Sequence, residues 1–246
     1  TMKTITISCE NTGCNYKVEA GMTLKEIKKI IYPENHNHIL GALINHQLKD
    51  LQYIVMNPLK VNFIDITTLD GYSVYSRSLI FVLYKAVSNI FPRKSLRTEY
   101  VISNGIYCRL GNKDLSLEPE IVDSLRNEMQ KIIDANIPII REDVPTEKAV
   151  QIFRKQGFKD KADLMETRGK LYTSLYYLDG LSDYFYGTLA PSTGCLKTFD
   201  LIPYKNGMLL RLPDRHNPQE LLPVIPQDKL FNVFSEHKRW GKILET

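Results

Sequence analysis

Cysteine and histidine, the side chains that most often carry catalysis or bind metals, are few in this chain, with four cysteines and five histidines. A cysteine nucleophile needs a nearby base, and no histidine is predicted beside Cys108, so a buried inert thiol is the better interpretation. His36, His38 and His46 have spacing that suits neither a zinc site nor a catalytic triad, and we expect them on the surface. The scattered cysteines predict no disulfide in a reducing compartment.

A loop that could hold nucleotide phosphates is also missing from the sequence. No Gly-x-x-x-x-Gly-Lys-Ser/Thr motif occurs in it. The net charge of +4 is only mildly basic, and 43% hydrophobic with 24% charged residues is typical of a globular chain with ordinary cores. Because no apolar run approaches the length of a membrane span and no signal-peptide pattern opens the chain, we expect a cytoplasmic protein with no membrane partner.

The N-terminal quarter of the sequence has the local signals of a small mixed domain. Apolar and polar residues alternate on both sides of Asn11–Gly13, which predicts a hairpin. Thr23 and Glu26 are spaced as a capping box and predict the start of a short helix. Further strands are predicted at 39–45 and 59–63. The predicted order is therefore strand, strand, helix, strand, strand.

The middle of the chain mixes helical and strand patterns. Helices are predicted at 120–136 and 146–156, and strands at 171–178, 196–202 and 208–212. Gly157 is predicted to end the second of these helices. Asp179-Gly180 and Asn206-Gly207 tolerate positive φ and predict hairpin turns, the second joining the last two strands.

The most distinctive stretch runs from Asp70 to Val87, with the sequence DGYSVYSRSLIFVLYKAV. Asp70-Gly71 is a turn signal, and the apolar residues after it recur at three- and four-residue spacing. This spacing predicts a helix with one buried face, made of Leu79, Val82, Leu83, Ala86, Val87 and Ile90. Pro92 is predicted to end it.

That stretch resembles the start of the second additional domain of threonyl-tRNA synthetases, which is shared with the alanyl-tRNA synthetase editing domain. The family has His-x-x-x-His on this helix, and the two positions fall on Arg77 and Phe81 here. Residues 183–194, DYFYGTLAPSTG, resemble its second half-site, whose Cys and His fall on Phe185 and Leu189. Since arginine, phenylalanine and leucine are not zinc ligands, the resemblance implies a dismantled site with no metal, cofactor or catalytic residue.

Residues 2–66 resemble a TGS domain, the small ubiquitin-like module that precedes the second additional domain in the same synthetases. The predicted fold class is therefore α+β, with a β-grasp TGS-like domain at 1–66 and an editing-like domain without metal ligands at 67–215. A connector and C-terminal helix are predicted at 216–246. In that helix an apolar stripe is predicted, formed by Leu230, Val233, Phe234 and Trp240.

Another resemblance spans nearly the whole chain, to the N-terminal half of Bacteroides-type bacterial uridine or nucleoside kinases. Its residues are VYSRSLIFVLYKAV, SNGIYCRL, DYFYGTLAPSTG and FNVFSEHKRWGKIL. It implies an N-terminal fragment with a regulatory or nucleoside- or nucleotide-sensing role, whose partner is its own C-terminal kinase domain. ATP and Mg²⁺ would act in that domain, beyond this chain. The alternative is a tRNA-binding, editing-like protein with a degenerate hydrolytic site, whose partner is the tRNA acceptor end.

Two interpretations of the dismantled pocket remain open at this point. In the first, Arg77 and Asp183 form a salt bridge, and the apolar side chains at the other former ligand positions pack the collapsed pocket. We favour this structural filling because those side chains are large and apolar. In the second, the pocket binds an anion such as a nucleotide phosphate or a carboxylate. Its candidate residues are Arg77, Tyr107, Asp183, Tyr186 and Lys197.

Overall fold

The structure is a computed structural model that describes residues 3–34, 36–111 and 116–244, with the side chains of these ranges up to residue 236. It divides into two compact units. The first unit comprises residues 1–86 and 129–197, and the second comprises residues 87–128 and 198–246. Both contain helices and strands, so the predicted α+β class is confirmed.

The described secondary structure consists of short strands and mostly longer helices. The strands are β1 Thr4–Cys9, β2 Cys14–Glu19, β3 Met22–Thr23, β4 Gly41–Ile44, β5 Gln47–Lys49, β6 Ile54–Val55, β7 Leu59–Ile64, β8 Leu96–Ile102, β9 Gly105–Leu110, β10 Ile140–Pro145, β11 Tyr172–Leu178, β12 Leu181–Asp183, β13 Asp200–Tyr204 and β14 Gly207–Arg211. The helices are α1 Leu24–Ile31, α2 Leu69–Ile90, α3 Pro119–Asp134, α4 Thr146–Lys155, α5 Lys159–Thr167 and α6 Asp228–Leu244, with a 3₁₀ turn at Thr193–Cys195. No helix among these described residues is both long and apolar enough to cross a membrane.

The N-terminal part of the first unit is a five-stranded sheet in the order β2-β1-β7-β4-β5, with α1 packed in its core. Strand β1 pairs with β2 as the predicted hairpin and runs parallel to β7. At the start of α1 the Thr23 hydroxyl accepts from the Glu26 N–H, and the Glu26 carboxylate accepts from the Thr23 N–H, so the predicted capping box is confirmed. The sequence missed the short strands β3, β5 and β6.

Helix α2 starts earlier than predicted, because Asp70-Gly71 lies in its first turn. The prediction of a turn there is wrong. A Cβ built on Gly71 would lie 1.7 Å from the carbonyl oxygen of Asp65, so the glycine serves a close approach of backbone. Its N–H donates to the Thr68 hydroxyl at 3.0 Å. The predicted apolar face is confirmed at Leu79, Val82, Leu83, Ala86 and Val87, which are buried, whereas Ile90 is only partly buried.

The rest of the first unit packs α4 and α5 against a three-stranded sheet in the order β10-β11-β12. The predicted Asp179-Gly180 turn joins β11 to β12, and both residues have positive φ. Gly157 ends α4 with a φ of +83°, as predicted. Helix α5 and strand β10 were missed.

The second unit has a four-stranded antiparallel sheet in the order β13-β14-β9-β8. The predicted strand at 196–202 begins only at Asp200, and the turn to β14 is Lys205-Asn206. Gly207 is already paired with Tyr204, and a Cβ on it would lie 2.4 Å from the Cys108 carbonyl oxygen. That glycine permits close packing of strands, and the predicted Asn206-Gly207 turn is wrong by one residue.

Helix α6 begins at Asp228 and packs in the second unit through a different face from the one predicted. Phe231 and Phe234 lie against Tyr100, with ring centroids 6.3 and 4.7 Å apart. Leu230 and Val233 are exposed, so the predicted stripe is wrong at these two residues. The side chain of Trp240 lies outside the described residues.

Candidate functional site

The former metal-ligand positions predicted from the resemblance meet where residues 184–190 cross α2, within the first unit. The rings of Phe81 and Phe185 make an edge-on contact with centroids 5.2 Å apart. Phe81 and Leu189 are almost fully buried. The Ala190 N–H donates to the Ser78 hydroxyl at 2.7 Å, which ties the segment to the helix. The contact is thus a packed apolar junction. That its residues occupy the positions of metal ligands in the resembling family stays a prediction.

Arg77 takes part in this junction through the backbone. Its Nε and Nη2 atoms both donate to the carbonyl oxygen of Thr188, at 3.1 and 3.0 Å. A Cβ on Gly187 would lie 2.6 Å from the guanidinium carbon of Arg77, so the guanidinium packs directly on this glycine. Burial lowers the pKa of the Arg77 guanidinium from its usual value.

The structure gives Asp183 a different partner from the predicted one. Both carboxylate oxygens accept from the Lys161 ammonium, at 2.7 and 2.8 Å, and the carboxylate is nearly buried. The ammonium also lies 4.8 Å from the ring centroids of Tyr84 and Phe158. The predicted Arg77–Asp183 salt bridge is therefore wrong, because Asp183 pairs with Lys161 on helix α5, which the sequence analysis missed.

A cavity of about 440 Å³ opens beside this junction, between β11 and the segment that follows β12. Its lining combines three cations with five aromatic rings and includes no carboxylate among the described residues. The lining residues are Arg141, Arg168, Lys170, Tyr172, Thr173, Ser174, Tyr176, Tyr184, Phe185, Tyr186, Gly187 and Thr188. The lining is therefore suited to a ligand that is both anionic and aromatic.

Arginine and tyrosine stack at the mouth of this cavity. The Arg168 guanidinium lies 4.9 Å from the ring centroid of Tyr184 and 4.7 Å from that of Tyr186. Tyr186 is 76% exposed and Tyr172 is 66% exposed. Such exposed aromatic faces beside cations are the usual platforms on which unpaired nucleobases stack.

Tyr176 stands deeper in the cavity, opposite Arg141 in the β10–β11 register. Burial, and after it the negative charge of Asp50, raises the pKa of the Tyr176 hydroxyl to about 12. Like that of any tyrosine, the phenol is protonated at neutral pH and can serve as a hydrogen-bond donor.

The predicted pocket residues do not all lie at this cavity. Tyr186 lines it, and Arg77 contacts its wall at Gly187 and Thr188. Lys197 is exposed and does not line this cavity. Tyr107 belongs to the second unit, where its hydroxyl donates to Asn206.

The cavity residues that the sequence analysis missed had a usable signal, because tyrosines cluster in YTSLYYL and DYFYG.

The described part of the chain contains no group of three or more His, Cys, Asp or Glu side chains placed to hold a metal ion. Cys108, the one cysteine considered as a nucleophile, is fully buried, and burial raises the pKa of its thiol to about 12. The predicted burial of Cys108 is therefore confirmed, and its lack of reactivity at neutral pH stays a prediction.

Comparison with known proteins relates this chain to one class of enzyme. No family model matches the sequence. It is similar to the N-terminal region of threonine–tRNA ligases, the threonyl-tRNA synthetases.

Two relatives illustrate this similarity. The threonine–tRNA ligase of Methylobacillus flagellatus is 28% identical over 191 residues, and that of Francisella tularensis subsp. tularensis is 25% identical over 189 residues. Each match covers 77% of this chain and 30% of the relative. The chain thus spans about a third of the length of these curated relatives.

These relatives overturn the main functional prediction. A regulatory region of a uridine or nucleoside kinase, with a kinase domain as partner, was expected, but the similar proteins are threonine–tRNA ligases. The kinase prediction is therefore wrong. The accompanying expectation of ATP and Mg²⁺ beyond this chain has no observation that bears on it.

Proposed function

We propose that this chain is a tRNA-binding, editing-like region that binds the single-stranded acceptor end without metal-dependent hydrolysis. The observation that carries the proposal is the cavity beside residues 184–188, with three cations, five aromatic rings and no carboxylate in its described lining. The similarity to threonine–tRNA ligases supports the same class of ligand.

The chemistry of the cavity lining matches an unpaired nucleotide. Arg141, Arg168 and Lys170 supply cations for the phosphate, and the exposed rings of Tyr172 and Tyr186 supply faces for a base. A volume of about 440 Å³ is within the range of small-ligand pockets. Phosphate contacts alone would be salt-sensitive, whereas stacking adds a contribution that persists at higher salt.

The proposal excludes zinc-assisted hydrolysis on the chemistry of the side chains. The four positions that correspond to metal ligands in the resembling family carry Arg77, Phe81, Phe185 and Leu189. None of these supplies a ligand that zinc accepts. The region therefore binds the acceptor end without a metal to activate water.

The domain organisation belongs to the same proposal. We assign a β-grasp TGS domain to 1–66, an editing-like domain to 67–215, and a connector with the C-terminal helix to 216–246. The parallel β1–β7 pair beside α1 supports the β-grasp assignment. Cytoplasmic location stays a prediction.

The test compares binding of two RNA hairpins by fluorescence anisotropy, one with a single-stranded 3′ end and one with a blunt end. We expect tighter binding of the first, and weaker binding by Arg168→Ala and Tyr186→Ala, each by about tenfold for one lost stacking contact. Lys60→Ala is the matched control, because Lys60 is an exposed cation of the same unit paired with Glu10 outside the cavity. Equal affinity for both hairpins, or equal losses in all three variants, would refute the proposal.

A further inference from the structure

A turn of the N-terminal sheet reaches the start of β10 within the first unit. The turn follows β5 and contains Asp50 and Gln52. Asp50 forms an ion pair with Arg141, whose Nε atom lies 2.9 Å from one oxygen of a carboxylate that is only 4% exposed. The second carboxylate oxygen of Asp50 accepts from the Gln52 N–H at 2.9 Å, which fixes the carboxylate in the turn.

The same turn also holds the backbone around Arg141. The Gln52 side chain accepts from the Arg141 N–H at 3.2 Å and donates to the Ile139 carbonyl at 3.4 Å. Arg141 is thus fixed twice by one turn, at its backbone and at its guanidinium. A flexible side chain that is fixed at both ends has little rotamer freedom left. It therefore loses less conformational entropy when a ligand binds.

Arg141 is also a cation of the cavity lining, opposite Tyr176 in the strand register. A guanidinium has five N–H donors, and the Asp50 carboxylate lies on the Nε side of the Arg141 guanidinium. Four of these donors are on Nη1 and Nη2, the atoms whose geometry suits a phosphate oxygen. Since a buried carboxylate requires a paired cation, Asp50 keeps the guanidinium in place before any ligand arrives.

We propose that the Asp50–Gln52 turn is a positioning element through which the N-terminal sheet tunes the cavity, with Asp50 orienting Arg141 to contact a phosphate of the bound RNA. This inference rests on the proposed function of the cavity. The N-terminal sheet then takes part in binding through Arg141, although the sheet itself does not contact the ligand. A purely structural ion pair would join the two segments but leave binding unchanged.

The experiment measures the affinity of the hairpin RNA with a single-stranded 3′ end as a function of salt. We expect Asp50→Asn and Arg141→Gln each to weaken binding by about tenfold, as the loss of one charge-assisted phosphate contact does. Each should also lower the salt slope by about 0.7, the value for one phosphate contact on a single strand. The double variant should bind as weakly as Arg141→Gln alone, because positioning has no effect once its target is gone.

Two further variants separate positioning from folding. Asp50→Glu keeps the charge and should recover most of the affinity, and Gln52→Ala should weaken binding by about threefold while leaving the ion pair intact. Glu166→Gln is the control, since it breaks an exposed ion pair with Arg154 in the same unit, outside this cavity, and should leave the RNA affinity unchanged.

The outcomes distinguish this inference from the function on which it rests. Suppose that the wild-type protein binds the RNA and that Asp50→Asn binds it with the same affinity and salt slope but has a lower melting temperature. That result would overturn the positioning role of Asp50 and leave the proposed function standing. If Asp50→Asn does not fold, an unchanged affinity of Gln52→Ala overturns it equally. Failure of the wild-type protein to bind either hairpin overturns the proposed function and this inference together.

Discussion

Replacement of Arg77 by methionine removes the guanidinium that joins α2 to the segment after β12, and keeps most of the aliphatic volume. Two N–H donors of this cation share the carbonyl oxygen of Thr188, at 3.1 and 3.0 Å. One charged hydrogen bond contributes about 1.5–3 kcal/mol net, and a second donor to the same oxygen adds little. The cost of burying the cation, which also lowers its pKa, offsets part of this gain.

We therefore expect Arg77→Met to lower the free energy of unfolding by about 2 kcal/mol, measured by guanidinium denaturation followed by circular dichroism. For a chain of this size that corresponds to a fall in melting temperature of about 4–8 °C. Arg154→Met is the matched control, because Arg154 makes an exposed ion pair with Glu166, and its replacement should cost less than about 1 kcal/mol.

The same substitution should weaken RNA binding, since Gly187 and Thr188 form part of the cavity wall. The reasoning would be refuted by an Arg77→Met protein within about 0.5 kcal/mol of the wild type, the range of ordinary surface substitutions. That result would mean that apolar packing of Phe81 and Leu189 holds the segment without the guanidinium.

Four other perturbations have defined outcomes. The pKa of Tyr176 in the folded protein, about 12, lies above its value in the unfolded chain. The contribution of the protonated Tyr176 to stability is therefore complete below about pH 10 and is lost as the pH rises to 12. Tyr176→Phe should remove about 2–3 kcal/mol of this pH dependence, measured by denaturation at each pH, and an unchanged profile would contradict the assigned cause. Gly71→Ala should cost more than about 3 kcal/mol, since its Cβ would overlap the carbonyl oxygen of Asp65, whereas the exposed Ser73→Ala should change stability by less than about 0.5 kcal/mol. In a native thiol titration at neutral pH, the exposed Cys14 should react quickly and the buried Cys108 only on unfolding, so rapid loss of both would argue against the burial of Cys108. Dialysis against a chelator should leave the melting temperature unchanged, and a fall that zinc reverses would contradict the dismantled site.

Short-range signals in the sequence predicted the structure correctly where the local conformation depends only on residues close together in the chain. The Thr23–Glu26 capping box and the Asp179-Gly180 turn form as predicted. Gly71 and Gly207 were misassigned as turn residues for one shared reason. A glycine in a sequence indicates conformational freedom, but here each glycine admits a backbone carbonyl at close range. The carbonyl at Gly71 is that of Asp65, just before α2, and the one at Gly207 is that of Cys108 on the neighbouring strand β9.

The sequence alone determined the α+β class and the buried face of α2, because these depend on residue type and on spacing along one element. Only the tertiary structure decided the partners of the charged residues. Lys161 rather than Arg77 pairs with Asp183, and Asp50 of the N-terminal sheet holds Arg141 at the cavity. Ion pairs form between whichever groups folding brings together, and spacing along the chain carries no record of contacts between residues 91 positions apart, as Asp50 and Arg141 are.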